Sequence, residues 1–396
     1  MKVLIAHNAY GKYSGEEAVV DRIAAVLAAH GDEVVRFERS TAGVRESLRG
    51  KVRSFFAGIY SPDGVRGMRE ALEREQPDVV NVHNVFPFIS PAALAECKKA
   101  GVPVIMTVHN FRLICPTGLF MRGELPCEEC LERHSEWGCL RHNCEGNWLK
   151  SLAYTLRSVY ARRTRAFLDN VDIFSCITDF QRQKLIAAGI PEEKIAVNPN
   201  FLDATTEPEY KVGNYVAYCG RLSFEKGFDL LLEVARKHPE IPFKFAGALR
   251  EGSIDEMPGN IALMGHISGQ EYEDFVRNAR FIVMPSRCYE GFPMAILEAA
   301  AQGKPTIGPD HGGFSEIIGK GGNAIGRLFA PNNIEDLEQQ VVRLWNAPED
   351  ITRLGRAAYR KLTTEYSSAN FYDRFCSNVR KLTHKSPNGT LQHRQG

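Results

Sequence analysis

Three short segments in the second half of the chain carry residue types that could hold an anion. In Gly220-Arg221-Leu222-Ser223-Phe224-Glu225-Lys226-Gly227, two cations lie between glycines, after an apolar run and before a helical one. An arginine fork, a lysine point charge and the amides of a helix N-terminus suit a diphosphate. Two solvated cations on a surface loop would read the same way. The second segment, Pro285 to Ala300, carries Glu290 in a loop and Glu298 two turns into the next helix. Glu298 lies among Ile296, Leu297, Ala299, Ala300 and Ala301, so a partly buried carboxylate is expected, and such a group needs hydrogen-bond partners. Ribose or sugar hydroxyls would serve, as would an internal arginine. The third segment, Gly308 to Glu316, contains Gly312-Gly313, which lets backbone approach a ligand closely. One such turn is weak; three at one sheet edge are not.

The elements that must position these loops alternate in type. Val3–His7, Glu33–Phe37, Asp78–Val82, Val104–Val108, Asp172–Ile177 and Ile195–Val197 read as strands, and 16–30 and 90–99 as helices between them. A polar stretch with Pro208, residues 203–212, breaks the pattern. Strands at 215–219, 243–246, 261–264, 281–284 and 305–307 then alternate with a helix at 227–237, and helices at 333–345, 351–364 and 371–382 follow. Such alternation implies parallel sheets with helices on both faces. The expected organisation is α/β: a domain over 1–202, a linker over 203–212, a second domain over 213–385 whose last helix could pack back on the first, and a disordered tail over 386–396. Two doubly wound domains face each other across the carboxyl ends of their strands, where such sheets bind ligands.

The motifs resemble the retaining glycosyltransferases of family 4, which have the two-domain GT-B fold. The likeness rests on Gly-Arg-Leu…Glu-Lys-Gly at 220–227, on Glu290 with seven residues before Glu298, and on Gly-Gly…Glu at 312–316, and it covers about residues 215–330. It implies that Arg221 and Lys226 neutralise a donor diphosphate and that Glu298 holds the ribose hydroxyls. Glu290 would face the donor sugar, and Gly291, Phe292 and Pro293 would lie along the donor, with Gly313 and Glu316 in a final loop. His109, after the strand 104–108, matches a histidine near the donor sugar; a histidine capping a strand is the plainer reading. The family also has a glycine-rich loop after the first strand. Here Lys12-Tyr13-Ser14-Gly15-Glu16-Glu17 places Glu16 where a second glycine is common, so Gly15 is the candidate phosphate contact.

The resemblance implies transfer with retention from a UDP- or GDP-sugar to a glycan or lipid-linked acceptor, in polysaccharide or glycoconjugate biosynthesis. A nucleotide-sugar epimerase or sugar phosphorylase is the nearest alternative, and a non-catalytic nucleotide-sugar binder a further one. No Asp-X-Asp stands at a strand end, so catalysis without a metal is expected.

Four features bear on partners and place. The 396 residues hold 49 Lys plus Arg against 48 Asp plus Glu, a net charge of +1, which argues against a nucleic-acid binder. There is no apolar run of the length that spans a membrane, and Met1–Ala6 lacks the pattern of a secretory leader. A cytoplasmic protein is expected, with possible access to the inner face of the cell membrane. Cys127, Cys130, Cys139 and Cys144, within an insertion over 115–144, could form a structural zinc site, although their spacing is not the commonest one. Basic amphipathic segments at 45–59 and 147–169 (Lys150, Arg157, Arg162, Arg163 and Arg165 in the second) suit either peripheral membrane contact or a solvated basic face.

Overall fold

The computed structural model describes residues 1–11, 14–44, 47–249 and 257–383. Lys12, Tyr13, Arg45 and the expected tail lie outside them. The first domain holds β1 (Lys2–Ala9), β2 (Glu33–Ser40), β3 (Val79–Val82), β4 (Val104–Val108), the hairpin β5 (Met121–Arg122) and β6 (Leu125–Pro126), β7 (Ile173–Cys176) and β8 (Ile195–Val197). Around them run α1 (Gly15–Ala29), α2 (Leu48–Ile59), α3 (Pro62–Glu75), α4 (Leu94–Lys99), α5 (Glu129–Glu132), α6 (Trp137–Arg141), α7 (Trp148–Arg163) and α8 (Asp179–Ala187). The second domain holds β9 (Val216–Cys219), β10 (Phe243–Ala246), β11 (Ile261–Gly265), β12 (Phe281–Val283), β13 (Thr306–Pro309) and β14 (Gly326–Phe329). Its helices are α9 (Phe228–Lys237), α10 (Gly269–Asn278), α11 (Met294–Ala301), α12 (Gly312–Ile318), α13 (Ile334–Trp345), α14 (Pro348–Glu365) and α15 (Ser368–Thr383).

Both large sheets are parallel, in the orders β2-β1-β3-β4-β7-β8 and β11-β10-β9-β12-β13-β14. Their central strands, such as β1, β4, β9 and β12, read as largely apolar runs because both faces are covered. Leu4, Ala6, Val80, Val82 and Val104 pack on one face of the first sheet, and Val3, Ile5, Val79 and Ile105 on the other. In the second sheet Ala217 and Ile282 oppose Val216, Tyr218, Phe281 and Val283 in the same way.

Residues 203–212 contain no helix or strand. They run beside the α14–α15 junction, where the Leu202 amide donates to the Tyr366 carbonyl at 3.0 Å and the Ser368 amide to Asp203 Oδ1 at 2.9 Å. The chain then returns, and α15 inserts Phe371, Phe375 and Val379 among Val3, Ile5, Val19 and Ile23 of the first domain. Tyr372 stacks on His30 with ring centroids 3.8 Å apart. The last helix therefore completes a layer of the first domain.

One expectation changes. The helix expected to reach residue 169 stops at Arg163, because Arg165 turns left-handed at φ 51° and the backbone closes a C-terminal turn there. Among the described residues, no group of three or more His, Cys, Asp or Glu is arranged to hold a metal ion. The insertion takes its shape from other contacts. Phe120 and Leu131 sink into the core, Glu129 gathers Arg122 at 2.7 Å and His142 at 2.8 Å, and Cys139 is buried beside Cys144.

Candidate active site

Strand ends set the two walls. After β9 the chain makes a single 3-10 turn, Phe224–Lys226, before α9. Gly227 joins them at φ 66°, and a Cβ there would lie 1.9 Å from the Pro285 carbonyl oxygen, so only glycine lets the two loops touch. Arg287, buried, binds both oxygens of Asp229 at 2.6 and 2.7 Å and the Phe224 carbonyl at 3.0 Å. This rivet holds the loop after β12 against the loop after β9. As a result Lys226 Nζ donates to Glu290 Oε1, which also accepts from Ser286 Oγ at 2.9 Å. Burial disfavours both charges, yet each partner outweighs it: the lysine is held above its ordinary pKa and the Glu290 carboxyl below its own.

This pair faces a cavity of about 240 Å³ between the domains. Gly15, Glu16, Val19 and His109 line it from the first domain, and Lys226, Glu290, Phe292 and Pro293 from the second. Other residues singled out in the sequence lie off its wall. Arg221 is half-exposed and pairs with Glu225 at 3.2 Å. Gly291 wedges the loop against the first domain, where a Cβ would meet Ile177 Cδ1 at 3.2 Å and the His109 carbonyl oxygen at 3.3 Å. Gly313 donates its amide to the Glu290 carbonyl at 2.8 Å, which fixes that loop from behind. Glu298 accepts from Tyr272 Oη at 2.8 Å and lies 3.8 Å from Arg22 of α1; Tyr272 gave no signal in the sequence.

Glu316, expected near the donor, accepts the backbone amides of Asp179 at 2.9 Å and Phe180 at 3.0 Å in this structure. It therefore caps the N-terminus of α8 in the other domain, where the helix dipole favours a negative charge. Tyr289 adds a second clasp, donating to Glu128 Oε1 at 3.0 Å and packing on Phe180 and Phe120.

The Gly15 loop, expected to contact phosphate, lines the cavity and is closed by its own capping box. Ser14 caps α1 by accepting from the Glu16 amide at 3.3 Å, and Glu17 closes the capping box on the Ser14 amide at 2.9 Å. Glu17 also accepts the Tyr10 amide at 2.8 Å. The turn has its own anions and offers a diphosphate poor electrostatics. Glu16 Oε2 accepts from Tyr10 Oη at 3.1 Å, and Arg112 donates to that same phenol oxygen. Burial raises the Glu16 pKa against the pull of Arg112 and His7.

A histidine cluster that the sequence reading missed lies beside it. His7 in β1, His83 after β3 and His109 after β4 all fall at strand ends, the shared position being the signal that could have found them. His83 Nδ1 and His109 Nε2 are 2.7 Å apart, and burial pushes the His109 pKa down to about 4 and that of His83 well below its usual value. These two rings are uncharged at neutral pH.

The helix starts divide between the walls. Side chains of Ser14, Ser61, Asn147 and Thr178 cap α1, α3, α7 and α8. In the second domain α9, α11 and α12 begin with no side-chain cap. Helix starts without side-chain caps beside a buried lysine suit an anion, although the Gly313 amide of α12 is already taken by the Glu290 carbonyl.

Two parallel α/β domains on either side of a cleft give the chain the GT-B fold. Two family models match it, Glycosyl transferases group 1 over residues 204–361 and Glycosyl transferase 4-like domain over residues 14–200. The second domain is thus that of a group 1 glycosyltransferase and the first a glycosyltransferase 4-like domain. An uncharacterized glycosyltransferase of Methanocaldococcus jannaschii is 25% identical over 336 residues, 83% of this chain and 81% of the relative. Glycogen synthase of Mycobacterium tuberculosis is 25% identical over 311 residues, 74% of this chain and 66% of the relative. Among solved structures, Anabaena HepE in complex with UDP and glucose superposes with a TM-score of 0.66 at 15% identity, covering 96% of this chain and 100% of that one. Sucrose-phosphate synthase of Thermosynechococcus elongatus gives a TM-score of 0.70 at 14% identity, over 97% and 100% of the two chains.

Proposed function

We propose that this protein transfers a sugar, with retention, from a UDP- or GDP-sugar to a hydroxyl of a glycan or lipid-linked acceptor in polysaccharide or glycoconjugate biosynthesis. The observation that carries this reading is the buried Lys226–Glu290 pair beside the uncapped starts of α9, α11 and α12. Fixed donors aimed at a leaving diphosphate stabilise the charge it gains as the sugar C1–O bond breaks. The acceptor oxygen forms the new C1–O bond from the same face, and its proton passes to the departing phosphate oxygen. Lys226 and the helix amides supply the stabilisation, so no catalytic metal is invoked. HepE, solved with UDP and glucose, supports a nucleotide-sugar donor.

Peripheral contact with the inner face of the cell membrane belongs to the same reading. Phe56 of α2 and Trp148 and Leu149 of α7 are exposed, on helices that pack together. The cationic share is smaller than the sequence suggests. Arg157 is buried, donating to the Pro116 carbonyl at 3.0 Å, and Arg162 pairs with Glu136 at 2.6 Å.

Thermal melting with UDP, GDP and their sugars, in chelator, tests the function. A nucleotide at 100 times its dissociation constant stabilises by about 2.7 kcal/mol. A selective shift with one base supports the reading, and a flat panel from folded protein sinks it.

A further inference from the structure

The insertion over 115–144 reaches the second domain at two points. Asn332 Nδ2, in the loop after β14, donates to the Glu124 carbonyl at 2.9 Å. Tyr289 Oη, in the loop after β12, donates to Glu128 Oε1 at 3.0 Å. Tyr289 immediately precedes Glu290, so the second contact bears on the backbone of a residue that lines the cavity.

The carboxylate in that contact is itself held. The Cys127 amide donates to the Phe120 carbonyl at 2.7 Å, closing the base of the β5–β6 hairpin, and Glu128 is the next residue. Lys184 Nζ of α8 donates to both Glu128 oxygens, at 2.7 and 2.6 Å. Charge-assisted bonds of this kind are short and strong. Burial and the adjacent Glu128 push the Tyr289 phenol up to about 12, so it keeps its proton at neutral pH and donates.

The ring and the hydroxyl of Tyr289 have separate tasks. The ring fills an aromatic socket of Phe120, Phe180 and His311, with centroids 6.0, 5.1 and 5.2 Å away. Phenylalanine would fill that socket too, so packing alone does not account for a hydroxyl on a carboxylate that already has its cation. On the side of its own domain the Glu290 backbone is closely packed. A Cβ on Gly312 would lie 3.1 Å from the Glu290 carbonyl oxygen and 3.3 Å from its amide nitrogen. The Glu290 main chain is thus held by the start of α12 in its own domain and by the insertion of the other. Reacting groups tolerate little misplacement: about 1 Å can cost about 10²-fold in rate.

We propose that Glu128 and Tyr289 are positioning residues: through their hydrogen bond the insertion fixes where Glu290 stands against the donor sugar. This rests on the glycosyltransferase reading, in which Glu290 meets that sugar, and it gives the insertion a part in the reaction.

The test uses the whole chain with Tyr289→Phe, Glu128→Ala and the two combined, and Glu132→Ala as a control at an exposed residue of the same insertion. Circular dichroism and melting establish which variants are folded. Tyr289→Phe keeps the ring and removes only the hydroxyl, so it decides alone if Glu128→Ala does not fold. Calorimetry gives affinities for UDP, GDP, UDP-glucose, UDP-galactose and GDP-mannose, and the readout is the ratio of donor to nucleotide affinity. General loosening of the fold would lower both affinities together and leave that ratio unmoved. Tyr289→Phe and Glu128→Ala should each lower the ratio about fivefold for at least one donor, the worth of one net hydrogen bond, with nucleotide affinity and the Glu132→Ala control unchanged. The double variant should be no worse than the more affected single one, because the same bond is removed in each. A ratio unchanged for every donor in folded Tyr289→Phe, equal loss of nucleotide and donor, or additive losses in the double variant would each overturn the assignment. A wild type that binds neither nucleotide nor any donor fails at the earlier step and removes the transferase reading itself.

Discussion

In the first domain the helices that start at the cleft satisfy their own amides with Ser14 and Thr178, and the cavity wall is made of a carboxylate, glycine and a neutral histidine. In the second domain the equivalent helices α9, α11 and α12 are left open, and the wall holds a buried lysine. Both sheets are parallel and start their helices at the carboxyl ends of their strands, although the strand orders differ (β2-β1-β3 at one edge of the first, β11-β10-β9 at one edge of the second), so sheet type alone does not impose this difference. It lies in a few residues at strand ends, and it sorts the ligands: a diphosphate to the second wall, a neutral hydroxyl compound to the first. Function in this architecture is therefore read from how helix starts are finished.

The sharpest way to break this contrast is to remove the cation. Lys226→Met should lower turnover by about 10²-fold or more, the scale of a lost oxyanion donor. It also strands Glu290, so stability should fall by about 3–5 kcal/mol, the cost of breaking a buried pair. The double variant Lys226→Met, Glu290→Gln should recover part of the stability in urea melts and none of the rate. Recovery of rate would mean that the pair is structural and the phosphate lies elsewhere. Glu298→Ala comes next: about tenfold weaker nucleotide binding by calorimetry is expected for a charged hydrogen-bond acceptor. Unchanged affinity would leave Glu298 as the partner of Tyr272 and Arg22 alone.

The sheets and the second-domain loops were legible because their signals are local. The central parallel strands are apolar runs, Lys226 and Glu290 sit in strand-to-helix turns and Glu298 in the helix that follows, and their residue types announce anion and hydroxyl chemistry. Helices α3, α8 and α10 and strand β14 were not found. Strand β14 is four residues with Arg327 inside it, and α10 buries only Phe275 and Val276. The role of Glu316 was illegible for another reason. Its partners are backbone amides 137 and 136 positions away, and a backbone amide has no residue type to read. The histidine cluster likewise exists only once β1, β3 and β4 lie side by side.

Glu316 gives a smaller effect that bears on both walls at once. Glu316→Gln keeps the shape and removes the charge that meets the α8 start, so closure should weaken while each wall stays intact. Charge at a helix N-terminus is worth about 0.3–1 kcal/mol, up to about 2 when partly buried. The variant should show a larger radius of gyration in solution scattering and a few-fold higher KM for donor, with melting of the separate domains unmoved. An unchanged radius and KM would reduce the contact to ordinary packing.

The mildest test separates the walls by acidity. His109 has its pKa lowered by burial from 6.5 to about 4, so the unfolded chain takes up its proton first and stability falls as pH drops through that interval. Glu290 has its pKa held below 4.5, so its contribution is intact above that value and is lost only as pH falls further. Between pH 6.5 and 4.5 His109 should therefore respond and the Lys226–Glu290 pair should not. Urea midpoints measured across this window should fall in wild type, fall less in His109→Gln, and fall as in wild type in Glu290→Gln. A slope unaffected by His109→Gln would mean that the folded histidine titrates as the unfolded one does and takes up a proton as pH falls through 6.5. The first wall would then carry a cation after all, and the division of ligands between the walls would no longer hold.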